Sequence, residues 1–126
     1  MDGVPLGMPA LAQADEIQDR AARVGFDWPD ITGVLAKLEE EFQEVVTAAS
    51  AEEQLLEVGD LLFSVVNYAR WLKIDPEAAL RQSNQRFRDR FRHVEKFAHE
   101  AGLNLSELSI DQLEALWQRA KNEPVA

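Results

Sequence analysis

The sequence predicts an all-α protein, a four-helix-bundle-like fold with a short extra helix at its C-terminal end. Three observations predict it: apolar residues recur at steps of three and four along most of the chain, helix-start signals punctuate it, and no segment alternates with period two long enough to make a strand. Composition agrees. With 46% hydrophobic and 29% charged residues in 126, the chain has globular proportions and the length of one domain.

Residues 1–9 contain Gly3, Pro5, Gly7 and Pro9, which read as a flexible lead-in. From Ala10 to Val24 the spacing of Leu11, Ala14, Ile17, Ala21 and Val24 predicts a first helix, stopped by Gly25. An aromatic turn, Phe26 to Asp30, precedes a second helix carried by Ile31, Val34, Leu35, Leu38, Phe42, Val45 and Val46 to about Ala49. Ser50 and Glu53 have capping-box spacing and begin a third helix that runs to about Leu72. Asp75 followed by Pro76 starts a fourth, which reaches roughly Phe97. Ser109 and Gln112 form a second capping box, for a last helix ending near Lys121. Residues 10–121 are expected to form a single domain, with 122–126 a tail. The short connections favour antiparallel neighbours in a bundle.

Charge and cysteine usage exclude several classes of function. A net charge of -10 repels nucleic-acid phosphates and argues against a polynucleotide binder. The absence of cysteine rules out a disulfide framework or thiolate metal site. Neither a basic, apolar leader nor a run of roughly 20 apolar residues is present, so the expected setting is cytoplasmic, away from membranes. Basic charge is uneven, however. Arg81, Arg86, Arg88, Arg90, Arg92 and Lys96 crowd into one segment, where phosphate contacts are expected.

The third helix carries the chemistry. Leu55, Leu56, Val58, Leu61, Leu62, Phe63, Val65, Val66, Ala69 and Leu72 make it apolar on most of its circumference, so it should be buried. Glu57, Asp60, Ser64 and Asn67 nevertheless form one narrow polar stripe along it. Taken alone, that stripe could be the solvent face. The second helix adds Glu40, Glu41 and Glu44, with Glu41 at the edge of its apolar stripe. If the two helices turn near Ser50, Glu44 and Glu57 stand at the same height, about 9 to 10 Å from the turn, and Glu41 and Asp60 pair likewise. Four carboxylates meeting in water-poor surroundings must take up protons or bind a cation. Magnesium suits hard oxygen ligands, and manganese is a possible substitute. A di-iron bundle would need Glu-x-x-His pairs, which neither His93 nor His99 supplies.

These residues resemble the MazG-type all-alpha nucleoside triphosphate pyrophosphohydrolases. The family pattern Glu-Glu-x-x-Glu, a gap, then Glu-x-x-Asp is met by Glu40, Glu41 and Glu44, then Glu57 and Asp60. Val24 to Trp28, Gly59 to Phe63, and the run from Asn84 through Arg86 and Phe87 to Arg90 and Phe91 are similar to the second, catalytically competent half of MazG, from about residue 9 to 121. The resemblance implies that Glu41, Glu44, Glu57 and Asp60 hold Mg2+ and that Glu40, with Glu41, serves catalysis by orienting or deprotonating the water. It implies that Asn84, Arg86, Arg90 and Trp117 touch the substrate, and Asn67 is counted with them. Arg86 stands where the family often has lysine, and Asp89-Arg90 where it often pairs two arginines. MazG carries two such domains in tandem, and this chain is expected to do without the other half.

The expected reaction is hydrolysis of (d)NTPs to (d)NMP and pyrophosphate, as housekeeping removal of noncanonical or excess nucleotides. A narrow dUTP or dCTP pyrophosphatase of the same superfamily and a non-enzymatic acidic interaction module are the alternatives. The partner expected besides the nucleoside triphosphate is a second copy in a homodimer, since so apolar a third helix is hard to cover within one chain.

Overall fold

The computed structural model, which describes residues 1–124, runs as α1 (Ala10–Arg23), α2 (Ile31–Thr47), α3 (Ala51–Trp71), α4 (Pro76–Glu100) and α5 (Ile110–Lys121). A 3-10 turn at Leu105–Glu107 precedes α5, and the described residues contain no strand. The fold is all-α, as the periodicity predicts. Of the tail expected at 122–126, Val125 and Ala126 lie outside the described residues.

Local chemistry explains where the helices begin and end. Asp30 caps α2 by accepting from Thr32 N at 2.9 Å, and Ser109 and Gln112 close a reciprocal capping box on α5. At α3, Ser50 Oγ accepts from Glu53 N at 3.1 Å, but the Glu53 carboxylate reaches Ala49 N at 2.9 Å, one residue earlier than the sequence pattern implies. The end of α1 is a Schellman motif. Gly25, at φ +87, sits in the left-handed region, and Gly25 N and Phe26 N donate to Ala22 O and Ala21 O, satisfying carbonyls the helix leaves open. Lys73 takes the equivalent position after α3 at φ 60, without glycine's freedom.

Two compact units make up the chain, Met1–Ala79 and Leu80–Ala126, divided within the first turn of α4. In the first, α2 and α3 form a hairpin across the short link from Ala48 to Ser50, and α1 also packs on α3. Val34 and Val66 are its most deeply buried side chains. The turn between α1 and α2 is pinned to α3 by Asp27, whose Oδ1 accepts from Arg70 Nη2 at 2.7 Å and from Trp71 Nε1 at 3.3 Å. Desolvation pulls the Asp27 carboxyl up, but hydrogen bonds from Arg70 and Trp28 N outweigh it and hold the group below the usual range. Beside this clamp the Trp28 ring lies so close to α2 that a Cβ on Gly33 would come within 2.6 Å of it. The lead-in is tied to α1, where Arg20 Nη1 donates to Asp2 O at 2.8 Å.

One expectation about packing needs correcting. Within a single chain α3 is not buried: Leu55 is 75% exposed, Leu56 68% and Leu62 52%. Only α1 and α2 cover it in the first unit, and an all-round apolar helix has more surface than two neighbours can hide.

The second unit has its own small core. Val94, Phe97 and Ala120 are buried, with Leu105, Leu116 and Trp117 packed against them. The Arg119 guanidinium lies 3.7 Å from the centre of the Phe97 ring, a cation–π contact that roofs this core.

Candidate metal centre

The α2–α3 hairpin brings Glu41, Glu44 and Glu57 together. Each offers a carboxylate oxygen within 4.8 Å of the other two. Helical rise explains why: Glu44 and Glu57 stand about equally far from the turn at Ser50, and the short link holds the helices in that register. Glu41 is buried at 4% exposure, and the other two are half-buried.

Three carboxylates this close cannot all remain ionised without compensation. Two responses are visible. Glu44 shares a hydrogen bond with Glu57, and that bond, together with desolvation and the charges of Glu41 and Glu57, pushes the Glu44 carboxyl up to about 7. Glu41 moves the other way, because the Lys37 ammonium lies 2.9 Å from its Oε1 and holds it below the usual range. Lys37 rises in return. A raised proton affinity at Glu44 and the Lys37 ammonium thus soften the repulsion.

They do not satisfy every oxygen. Oε2 of Glu41 and Oε2 of Glu57 are buried without a hydrogen-bond partner. An ionised carboxylate can only accept, so each needs a donor or a cation. An all-oxygen donor set with unpaired lone pairs and excess negative charge fits a hard divalent ion of the magnesium or manganese kind.

The raised Glu44 carboxyl sets a pH dependence. In the metal-free protein the fold holds this proton more tightly than the unfolded chain, where the group titrates near 4.5, so its contribution to stability falls as pH rises from 4.5 to about 7. A divalent ion needs the ionised form, so ion and proton compete. The affinity of a divalent ion for this group should weaken about tenfold per pH unit below 7 and level off above it, with about one proton released per ion at pH 6. Calorimetric titration in buffers of different ionisation enthalpy counts that proton, and a pH-independent affinity without proton release would refute the competition.

The remaining candidate residues lie in varied settings. Asp60, one turn beyond Glu57, is exposed and stands outside the three-carboxylate group. Glu40 is exposed, 3.6 Å from Lys37. Asn67 accepts from Arg70 Nε at 3.1 Å and Nη2 at 2.9 Å, which joins it to the Asp27 clamp. Asn84, Arg86, Arg90 and Trp117 belong to the second unit. There Arg86 Nη2 donates to Ser83 Oγ at 3.0 Å, Arg90 sits 6.0 Å from the Trp117 ring centre, and Trp117 tilts against Phe87 at 5.2 Å. Asn84 is exposed. A cleft of about 50 Å³ beside Arg86 and Arg90 is also lined by Lys121, a third cation that the motif does not include.

Sequence reasoning overlooked Lys37, although its i,i+4 spacing to Glu41 was a readable signal. The burial of Gln18 gave no such signal.

An all-α hairpin that gathers acidic side chains defines a helical protein suited to binding divalent cations. Comparison with known proteins makes the class specific. Residues 30–95 match the MazG nucleotide pyrophosphohydrolase domain. The chain is 46% identical over 114 residues to the nucleoside triphosphate pyrophosphohydrolase/pyrophosphatase MazG of Thermotoga maritima, an alignment covering 90% of this chain and 45% of that protein. To the nucleoside triphosphate pyrophosphohydrolase of Escherichia coli K12 it is 39% identical over 133 aligned positions, covering 99% of this chain and 49% of the relative. The uncharacterized protein YabN of Bacillus subtilis is 46% identical over 65 residues, 52% of this chain and 13% of its own length. This chain belongs to the MazG nucleotide pyrophosphohydrolase domain family. It spans about half the length of the first two of these relatives.

Proposed function

We propose that this chain hydrolyses nucleoside triphosphates to the monophosphate and pyrophosphate with a divalent cation, Mg2+ or in its place Mn2+. The observation that carries the reading is the convergence of Glu41, Glu44 and Glu57 with two buried oxygens lacking partners. Family membership and the relatives' names support the reaction. Glu41, Glu44 and Glu57 hold the ion, with Asp60 joining from the next turn of α3. When bound, such an ion lowers the pKa of a coordinated water and offsets negative charge on phosphate oxygens. Glu40, exposed on α2 next to Glu41 in the chain, would orient the attacking water or take its proton. Lys37 compensates charge at Glu41. Arg86 and Arg90 supply charge-assisted hydrogen bonds to phosphate, and Asn84, Trp117 and Asn67 contact the rest of the substrate.

Product analysis tests the reaction. Purified protein with Mg2+ and a panel of ribo- and deoxyribonucleoside triphosphates should release pyrophosphate and monophosphate. Orthophosphate and diphosphate alone, across the panel, would refute it.

The working form is proposed to be a homodimer. The support is the exposed apolar surface of the hairpin, Phe42 and Val46 on α2 and Leu55, Leu56, Leu62 and Phe63 on α3, a patch of the kind that marks an interaction site. Light scattering reads this directly, and a mass of one 14.2 kDa chain would reject it. No helix among the described residues is long and apolar enough to cross a membrane.

A further inference from the structure

Gln18, on α1, is a buried polar side chain that the metal centre does not use. It is only 7% exposed. Its Nε2 donates to Phe63 O on α3 at 2.8 Å. Its Oε1 is equally buried and has no partner. The amide cannot be turned the other way, because a carbonyl oxygen accepts only from the nitrogen end. An acceptor is therefore held inside the first unit with nothing to accept from. For fastening α1 to α3, an apolar side chain would serve without leaving a buried polar atom unpaired. The orientation calls for a donor that arrives from elsewhere.

The neighbourhood says which donor. In an α-helix the carbonyl of residue 63 points toward residue 67, so the Gln18 amide stands beside the turn holding Ser64 and Asn67. Ser64 is itself buried, at 8% exposure. These two residues are the far part of the polar stripe whose near end, Glu57, belongs to the carboxylate group. Along α3 they lie about 10 and 15 Å from Glu57, within reach of a nucleotide whose phosphates are held at the carboxylates. Asn67 commits its carbonyl to Arg70, so what it can offer a ligand is its NH2. A donor at Asn67 and an acceptor at Gln18 then flank the same stretch of stripe.

We propose that Gln18 Oε1 accepts a hydrogen bond from the nucleoside part of the substrate, either a ribose hydroxyl or a base N–H, and so helps set substrate specificity. This rests on the nucleotide reading of the first unit. Gln18 is a specificity-determining contact that takes no part in the bond-breaking step.

The test is a binding cycle on the full chain with Mg2+ and nucleotides whose α–β bridge is replaced by an uncleavable imido group. Wild type and Gln18→Met are compared on ribo, 2′-deoxy and 2′,3′-dideoxy forms to probe the sugar, and on adenosine against purine riboside forms to probe the base. Removing the donor that Gln18 reads should weaken wild-type binding about tenfold and leave Gln18→Met unchanged. Whichever arm shows the effect names the source. If Gln18→Met shifts every analogue by one common factor, or shifts none, Gln18 is only a tether between helices and the proposal is overturned. If that variant fails to fold, the side-chain amide resonance of Gln18 in the wild type decides. It should move on binding the intact analogue and stay in place with the donor-deleted one, and equal movement with both would overturn the proposal. Pyrophosphate release is assayed in parallel. Its absence refutes the reaction, and the binding cycle still judges Gln18.

Discussion

Glu41→Gln is expected to lower pyrophosphate release about 10³-fold or more while the protein keeps its melting temperature. The expectation follows from what the substitution removes. Glutamine preserves size and helix propensity but exchanges a carboxylate oxygen proposed to hold the ion, and its charge, for an amide, at the most buried position of the carboxylate group. Losing one charged group that stabilises a phosphoryl-transfer transition state costs factors of this order. Stability should change little. Lys37 loses its partner, but at 40% exposure its ammonium can turn to water. Relief of repulsion on Glu44 and Glu57 offsets the loss. Asp60→Asn should also reduce activity, and it asks separately whether the exposed carboxylate one turn along joins the ion. The checks are steady-state kinetics and thermal melting on the same samples. Near-normal turnover in Glu41→Gln would remove Glu41 from the metal site, and a collapsed melting temperature would make its role structural.

Phe97→Ala should produce the largest loss of stability, about 3–5 kcal/mol. Phe97 is 6% exposed and sits at the centre of the small core of the second unit, against Val94, Ala120 and the residues packed around them. Truncation removes the ring's burial and leaves a cavity, and it also strips the Arg119 guanidinium of the aromatic face it covers at 3.7 Å. With so few buried side chains in that unit, little is available to fill the space. Denaturant unfolding followed by circular dichroism measures the change. A loss below about 1 kcal/mol would show that this core contributes little to the folded state.

Much of the fold was legible because its signals are local. Ser50, Asp75 and Ser109 mark the starts of α3 to α5 by chemistry that involves only the next few residues, and Gly25 marks the end of α1 through its backbone freedom. The convergence of Glu44 with Glu57 could also be read, since a hairpin turning at Ser50 fixes their height by helical rise alone. Contacts between distant residues could not. Gln18 meets the backbone of Phe63 across 45 residues, and Asp27 meets Arg70 across 43. A backbone carbonyl has no residue identity to give such a contact away. The apolar circumference of α3 was read correctly as composition, but burial depends on how many neighbours arrive, and in one chain Leu55 and Leu56 stay largely exposed. Lys37 was missed for a different reason. An acidic cluster draws attention to its acids, and the cation that partly compensates them lies one turn away on the same helix.

The most direct test is to locate the ion. Crystals grown with Mn2+ should show an anomalous difference peak at coordination distance from carboxylate oxygens of Glu41, Glu44 and Glu57, with Glu41 Oε2 and Glu57 Oε2 no longer lacking a partner. Mn2+ bound elsewhere, with Glu41 Oε2 and Glu57 Oε2 still without a partner, would contradict a metal centre between α2 and α3.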